Sequence, residues 1–284
     1  MIEKQSLISK HAKSFNWAGF FLSQKTFKKC SILYDFCRTV DDIADEDSAL
    51  SIKQKKFAEF KLNFQRKNLS NIVIKNICEL MEQENISKKV VEDLFDGVES
   101  DLKLEVVLRN KKDLLVYSYR VAGTVGLMMA KILKVKDVFA LKCAIDLGIA
   151  MQLTNISRDV VEDKKINRFY IKHDFASIKE TIELADTFYE SSFKAIKSIP
   201  IISRFSIIVA RRVYKKIGNN ILKTKNIEKY NKTGKVYVSN IGKIIETLFS
   251  FYDFVKLFFI NSKVHLKENE HLIISKEINF DERI

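Results

Sequence analysis

Apolar residues recur at helical spacing along almost the whole chain, and short polar stretches separate the apolar runs. Residues three and four apart share one face of an α-helix, so the pattern predicts a succession of helices. The segments predicted to be helical are 5–24, 27–45, 51–66, 71–83, 87–105, 111–134, 136–164, 177–198, 201–222 and 234–262. No convincing strand alternation appears, and no linker rich in proline, glycine or serine divides the chain. The sequence therefore predicts one all-α domain over residues 1–284, with a C-terminal helix at about 240–263 and 264–284 as a tail.

A polar stripe marks the end of the predicted helix 136–164. Gln152, Asn155, Asp159 and Asp163 follow steps of three, four and four, which places them on one helical face within an otherwise apolar segment. Two carboxylates on one buried face repel each other unless a cation lies between them. Mg²⁺ prefers such oxygen ligands. A single stripe of this kind is more typical of solvated charges on an amphipathic helix, so a metal site requires a matching stripe elsewhere.

A second stripe lies near the N-terminus, where Tyr34, Arg38, Asp41 and Asp45 follow steps of four, three and four. Two helices facing each other would bring the carboxylates of both stripes together, at a density that requires cations. We call this expected space the carboxylate cleft. The side chains predicted to hold metal ions are Asp41, Asp45, Asn155, Asp159 and Asp163. The pattern predicts a site for Mg²⁺ and diphosphate, and the alternative is two salt-bridged surface helices.

The segment 117–130, YSYRVAGTVGLMMA, carries two glycines inside a predicted helix. Each costs about 1 kcal/mol relative to alanine, which indicates a close approach by another helix or by a long ligand. Tyr119 shares this face, where its ring is predicted to stabilise a cation.

Charge and cysteine content narrow the function classes. The net charge is +13, which suits an anionic membrane surface or a polyanionic substrate, whereas signatures of nucleic-acid readers are absent from the sequence. Four scattered cysteines without a C-x-x-C pair indicate reduced thiols in a cytoplasmic protein. The N-terminus lacks the apolar stretch of a signal peptide, and the sequence predicts no membrane-spanning helix.

Four segments together resemble the squalene/phytoene synthase family of head-to-head prenyl transferases, and most closely its bacterial phytoene synthase branch. They are SFNWAGFFL (14–22), LYDFCRTVDDIAD (33–45), YSYRVAGTVGLMMAKIL (117–133) and DLGIAMQLTNISRDVVEDKKINRFYI (146–171). Weaker similarity continues in RRVYKKIG (211–218) and GKVYV (234–238). The resemblance implies an all-α isoprenoid-synthase helical bundle with a central active-site cavity.

The resemblance also implies a reaction. Two geranylgeranyl diphosphates condense head to head, through prephytoene diphosphate, to phytoene, with release of two diphosphates. This reaction is the first committed step of carotenoid biosynthesis. The implied cofactor is Mg²⁺, with Mn²⁺ as a substitute, and no NADPH is expected.

Individual residues match positions of the family motifs. Those that the resemblance implies to be catalytic are Asp41, Asp45, Asp159, Asp163, Tyr119 and Arg38. Those implied to bind substrate are Ser14, Phe15, Tyr34, Arg38, Gln152, Asn155, Arg158, Arg168, Tyr214 and Lys235. Lys235 stands where relatives often have arginine, so it keeps the charge but loses the bidentate geometry. Ala12 stands where some relatives have serine.

Several alternatives stay open at this point. Within the family, farnesyl diphosphate is the competing substrate, giving dehydrosqualene, squalene or presqualene diphosphate. Another alternative is a non-catalytic subunit that binds prenyl diphosphates. DDIAD also matches chain-elongating synthases and terpene cyclases, although N-x-x-R-D-x-x-x-D is not a second D-D-x-x-D motif. The oligomeric state is open.

Membrane contact is expected from the aromatic-rich segment 247–263, TLFSFYDFVKLFFINSK, in combination with the positive net charge. The expected location is peripheral, on the cytoplasmic face of the membrane. The alternative is a last core helix of the bundle.

Overall fold

The computed structural model describes residues 17–260 and 264–284, and nearly all of its regular structure is helical. The helices are α1 Gln24–Asp45, α2 Leu50–Gln65, α3 Ile72–Glu84, α4 Lys88–Glu99, α5 Lys111–Ser118, α6 Thr124–Ile132, α7 Val138–Lys165, α8 Phe175–Ala195, α9 Ile201–Leu222, α10 Ile227–Thr233, α11 Asn240–Lys256 and α12 Glu268–Ser275. Short 3₁₀ turns follow at Ile196–Ser198, Leu257–Phe259 and Phe280–Glu282. The all-α prediction is confirmed.

Side-chain caps explain where several helices begin. Ser23, Asn110, Asp137, Asp174 and Ser239 each accept a hydrogen bond from a backbone N–H in the first turn of the helix that follows. Such caps satisfy N–H groups that have no partner inside the helix. The cap at Ser239 starts α11 later than the predicted 234, and residues 234–239 form an irregular connection instead.

Three departures from the predicted pattern matter for the site. The helix predicted over 87–105 ends at Glu99, and the chain then forms strand β1, Val106–Val107, which pairs in parallel with strand β2, Arg168–Phe169. The helix predicted over 111–134 is divided by a π-helical turn at Tyr119–Gly123. Helices α10 and α12, of seven and eight residues, are not predicted by the sequence, because two turns are too few to show a helical repeat of apolar residues.

Helix α7 occupies the centre of the bundle and packs against α6, α8 and α9. Two glycines set its distance from the π turn and α6. A Cβ at Gly126 would lie 2.2 Å from the carbonyl oxygen of Ala144, and one at Gly148 would lie 2.1 Å from that of Ala122. The close approach predicted for the glycine segment is therefore made by another helix. Crowding of this kind is what excludes a larger side chain.

Among the described residues, α7 is also the one helix long and apolar enough to cross a membrane by length and composition alone. Inside the bundle, 67% of that apolar stretch is buried. Burial against neighbouring helices is the arrangement of a core helix, which needs no lipid to explain its composition.

The C-terminal segment, residues 264–284, packs against the bundle through ion pairs and hydrogen bonds. Arg283 donates from Nε and Nη2 to the two carboxylate oxygens of Asp93, each at 2.9 Å. Lys131 donates to the backbone oxygen of Ile284 at 2.5 Å. His265 and His271 bond to Asp146 on α7. The expected tail is thus a docked element of the fold.

Candidate active site

The two predicted stripes lie on α1 and α7, and both helices pack against α6. The side chain of Arg168 is one of the groups that join them. Arg168, which follows α7, donates from Nη1 to Oδ1 of Asp45 on α1 at 2.9 Å. Burial and the charge of Asp159 raise the pKa of Asp163 on α7, and the same guanidinium opposes that rise. One cation therefore lies within electrostatic reach of carboxylates from both stripes.

The chain around Arg168 is shaped to bring this residue back to α1. Helix α7 ends at Lys165, and Asn167 adopts the left-handed conformation with φ of 58°. Asparagine tolerates that conformation better than most residues. The chain then enters β2, where the N–H of Val106 donates to the carbonyl of Asn167 at 2.9 Å and that of Leu108 to Phe169 at 3.2 Å. The strand pair thus holds Arg168 in a fixed register.

Two aspartates of the cleft, Asp41 and Asp163, have pKa values well above the ordinary value for aspartate. Burial, with repulsion from Asp45, raises the pKa of Asp41 to about 7, although Arg38 opposes the shift. Burial, with repulsion from Asp159, raises the pKa of Asp163 to about 7, against the attraction of Arg168. Without added cations, the carboxylates are too crowded to ionise together at neutral pH.

The arginines and the lysine predicted for this site pair with its aspartates. Arg158 donates to both oxygens of Asp159, from Nε at 2.8 Å and from Nη2 at 2.6 Å. Lys235 Nζ lies 3.1 Å from Oδ1 of Asp159. Arg38 Nη2 lies 2.5 Å from Oδ1 of Asp42. These cationic side chains therefore lie beside the carboxylates. An incoming anion could take the place of a carboxylate as their partner.

Tyr34 and Tyr214 bring a third helix to the same place. Burial raises the pKa of Tyr34 to about 12, with Arg38 opposing the shift and Tyr214 and Asp41 adding to it. Burial also raises the pKa of Tyr214 on α9, where Arg158 lowers it and Asp159 raises it. Tyr214 therefore lies near the Arg158–Asp159 pair of α7 and near Tyr34 of α1.

A test of the predicted metal site is whether its donors are available. Asn155 Nδ2 donates to Oε1 of Gln152 at 3.5 Å, whereas Asn155 Oδ1 is buried and accepts no hydrogen bond from the described residues. An acceptor buried without a partner carries a desolvation cost that a coordinated cation removes. With the carboxylate oxygens of both stripes, the donor set consists of oxygen alone, which fits Mg²⁺ and Mn²⁺.

Tyr119 does not lie with these groups, which corrects the expectation that it borders the cleft. Its side chain is fully buried, and its hydroxyl donates to Oδ2 of Asp93 at 3.0 Å. Its ring lies 5.1 Å from that of Phe280 in the C-terminal segment. The π turn begins at Tyr119 and directs this side chain toward the C-terminal segment.

Tyr117 takes the position expected of Tyr119. Its hydroxyl donates to Oδ2 of Asp101 at 2.8 Å, and the hydroxyl of Tyr170 donates to Oδ1 at 2.8 Å. The two rings stack with centroids 4.7 Å apart. The charge of Asp101 adds to the raised pKa of Asp41 and of Asp163, so it lies within electrostatic reach of both stripes. We call Asp101, Tyr117 and Tyr170 the Asp101 triad.

Sequence reasoning missed the Asp101 triad for identifiable reasons. Tyr117 and Tyr170 both occur in segments that resemble the family, so a weak signal was present. Asp101 has no second carboxylate at helical spacing that would form a stripe, and it falls in a segment predicted to be helical. Ser14 and Phe15 lie outside the described residues.

A sequence model described as squalene/phytoene synthase matches residues 8–176. The chain belongs to this family. Members of the family use divalent metal to bind diphosphate, and the chain is a prenyltransferase enzyme.

Relatives give the same family assignment. The chain is 28% identical over 240 residues to a 15-cis-phytoene synthase of Pantoea ananas, covering 73% of this chain and 77% of that protein. It is 36% identical over 149 residues to a 15-cis-phytoene synthase of Paracoccus sp. (strain N81106 / MBIC 01143), covering 46% and 49%.

Solved structures of the family share the architecture. A dehydrosqualene synthase determined with a ligand superposes with a TM-score of 0.72 at 25% identity, covering 88% of this chain and 94% of that one. A squalene synthase from Alicyclobacillus acidocaldarius gives a TM-score of 0.66 at 17% identity, covering 79% and 92%. The expected isoprenoid-synthase fold is confirmed.

Proposed function

We propose that this chain is a phytoene synthase, which condenses two molecules of geranylgeranyl diphosphate head to head and releases two diphosphates. The observation that carries the proposal is the pair of aspartate stripes joined through Arg168 and Asp101. The phytoene synthases among the relatives support the choice of product.

The acidic and basic residues of the cleft have different roles in ionising the substrate. We infer that Asp41, Asp45, Asn155, Asp159 and Asp163 hold divalent ions. Held by these residues, Mg²⁺ would supply positive charge to stabilise the leaving diphosphate. Arg38, Arg158 and Lys235 then exchange their aspartate partners for diphosphate oxygens, as do the guanidinium donors of Arg168. Arg38 Nε, which is buried without a hydrogen-bond partner among the described residues, is already available for this role.

The Asp101 triad is proposed to act on the hydrocarbon end of the reaction. Two hydroxyls fix the Asp101 carboxylate, and the stacked rings of Tyr117 and Tyr170 form a rigid wall beside it. A preorganised carboxylate and aromatic faces stabilise an allylic cation without having to move during the reaction. Loss of a proton from the last cation yields the central double bond, so the proposed reaction requires no reductant.

The test is a product assay. We expect purified protein with Mg²⁺, without NADPH, to convert geranylgeranyl diphosphate to a forty-carbon phytoene and to release diphosphate, and chromatography with mass spectrometry checks the product. A protein that binds geranylgeranyl diphosphate but releases no diphosphate would support the non-catalytic alternative and contradict the proposal.

A second candidate is a thirty-carbon product from farnesyl diphosphate. It is favoured by the superposition on a dehydrosqualene synthase, which covers 88% of this chain. The same assay with farnesyl diphosphate separates the two, because a thirty-carbon product from farnesyl diphosphate alone would keep the mechanism and change the substrate.

We further propose that the enzyme binds a membrane surface through α11. This helix is oriented with its polar face inward: Glu246, Ser250 and Asp253 are buried, and Arg212 of α9 pairs with Glu246 at 3.0 Å and with Asp253 at 2.7 Å. A helix of a water-soluble bundle normally buries its apolar face instead. The inverted orientation places apolar side chains at the surface.

The outward face is apolar and aromatic over the length of α11 and the turn after it. Its exposed members are Ile241, Ile244, Ile245, Leu248, Phe249, Phe251, Tyr252, Val255, Phe258 and Phe259. A contiguous apolar surface of this size is typical of a contact site. The net charge of +13 complements anionic lipid, and long-chain isoprenoid substrates and products partition into bilayers.

A matched pair of variants tests membrane binding. We expect Leu248→Ser/Tyr252→Ser/Phe259→Ser to weaken binding to anionic liposomes by at least about tenfold, because each exposed apolar side chain loses its transfer into lipid. Ile52→Ser/Leu69→Ser/Ile72→Ser changes three exposed apolar residues elsewhere and should leave binding unchanged. Co-sedimentation checks both. Equal binding by the first variant, with its circular dichroism intact, would contradict the proposal.

A further inference from the structure

A buried cluster of thiol, carboxylate and imidazole groups lies where the C-terminal segment meets α7. The ligand atoms of Cys143, Asp146 and His265 all lie within 4.8 Å of one another. His265 Nε2 is 2.8 Å from Oδ2 of Asp146, and His271 Nε2 is 2.7 Å from Oδ1. Asp146 is fully buried, and Cys143 and His271 are nearly so. The proposed reaction uses none of these residues.

The three grouped residues come from two separate elements. Cys143 and Asp146 are separated by two residues on α7, so they are neighbours on one face of that helix. His265 belongs to the C-terminal segment. An ion shared by all three would therefore join the C-terminal segment to α7.

The surroundings of the cluster supply the other parts of a metal site. Ser191 Oγ donates to Oδ2 of Asp146 at 2.6 Å, an outer hydrogen bond that orients a ligating carboxylate. The ring of Phe280 lies 5.0 Å from that of His271 and forms part of an apolar shell. A cavity of about 860 Å³, lined by Lys142, His265, His271 and Phe280 among others, gives an ion access to both imidazoles.

We propose that Cys143, Asp146 and His265 form a Zn²⁺ site that fastens the C-terminal segment to α7, with His271 as an outer hydrogen-bond partner of Asp146. The donor set contains sulfur, nitrogen and oxygen, which suits Zn²⁺ and does not suit Mg²⁺. The site is separate from the carboxylate cleft, because Asp146 and Asp159 stand roughly 20 Å apart along α7 at 1.5 Å per residue.

The experiment is metal titration of the full chain with Mg²⁺ present in excess to saturate the cleft. We expect one equivalent of Zn²⁺ to bind per chain, measured against a chromophoric chelator, and Co²⁺ in its place to give a thiolate-to-cobalt absorption band. Cys143→Ser and His265→Gln should each lower Zn²⁺ affinity by about 100-fold or more. Zn²⁺ should also protect the C-terminal segment from limited proteolysis.

Two controls match these variants. Cys78→Ser removes another buried thiol, and Asp159→Asn removes a cleft carboxylate, and both should leave Zn²⁺ affinity unchanged. Absence of Zn²⁺ binding by the wild-type chain would overturn the proposal, as would a Co²⁺ spectrum without the thiolate band. Full affinity in Cys143→Ser would also overturn it. His265 lies at the cavity wall, so His265→Gln is the variant expected to fold where a core change does not.

Discussion

Asp159→Asn is expected to lower kcat by at least about 10³-fold, equivalent to roughly 4 kcal/mol in the barrier for ionising the diphosphate. Asp159 is the point at which Arg158, Lys235 and the second stripe meet. Asparagine keeps one acceptor oxygen for Arg158, so the local hydrogen bonds persist while the charge is lost. The variant is therefore expected to fold normally but to ionise the diphosphate slowly, and steady-state diphosphate release measures this defect.

The same reasoning applies to the other side of the cleft. Asp41→Asn removes a carboxylate from α1 whose pKa is raised to about 7 by burial and by Asp45. The loss of charge relieves that repulsion, so the variant should be no less stable than the wild type while losing turnover to a similar degree. A fall in activity with an unchanged melting temperature distinguishes a ligand from a packing residue.

Glu162→Gln is the matched control for Asp159→Asn. It replaces a carboxylate by an amide on the same turn of α7, outside the stripe, and should leave turnover nearly unchanged. Mg²⁺ should raise the melting temperature of the wild type and of Glu162→Gln by mass action, and should have little effect on Asp159→Asn. Near-normal turnover in folded Asp159→Asn would contradict the assignment of the cleft as a metal site.

The sequence predicted those parts of the site that depend on local periodicity. The two aspartate stripes and the helices that carry them follow from steps of three and four residues, and the helices are present near their predicted bounds. Tyr214 and Lys235 were identified only by resemblance, because residues on α9 and on the connection before α11 have no local pattern that relates them to α7.

Contacts between segments that are distant in sequence could not be predicted from periodicity. Arg168 reaches Asp45 because of a two-residue strand pair and one left-handed asparagine, neither of which has a repeating signal. The inverted orientation of α11 also depends on Arg212, a residue of another helix that pairs with its acidic face. Periodicity shows that a helix has two faces, but tertiary partners decide which face is buried.

Periodicity also could not show which of Tyr117 and Tyr119 faces the carboxylate cleft. Both residues lie in YSYRVAG, and an uninterrupted helix would place them on different faces without indicating which face meets the cleft. The structure resolves the choice through their partners. Tyr117 bonds to Asp101, whose charge acts on both stripes, whereas Tyr119 bonds to Asp93 beneath the C-terminal segment.

We therefore expect Tyr117→Phe to lower kcat by about 10- to 100-fold, because it removes one of the two hydroxyls that orient Asp101. Tyr119→Phe also removes the hydroxyl of a buried tyrosine, and it should change kcat by less than about twofold, under ~0.5 kcal/mol in the barrier. Each variant loses one hydrogen bond to a carboxylate, so each should cost a similar ~1–2 kcal/mol in the free energy of unfolding. Thermal or denaturant unfolding measures that cost, and steady-state kinetics measures kcat and KM.

Equal stability with unequal kcat would assign the difference to the position of Tyr117 beside the cleft, since a purely structural role moves both quantities together. The KM for the diphosphate substrate should change little in Tyr117→Phe, because the cations that hold diphosphate are left in place. If Tyr119→Phe instead loses the greater activity, Asp93 and the C-terminal segment belong to the reaction centre, and the Asp101 triad is a structural contact. The comparison therefore decides which of two tyrosines, two residues apart, faces the reacting carbons.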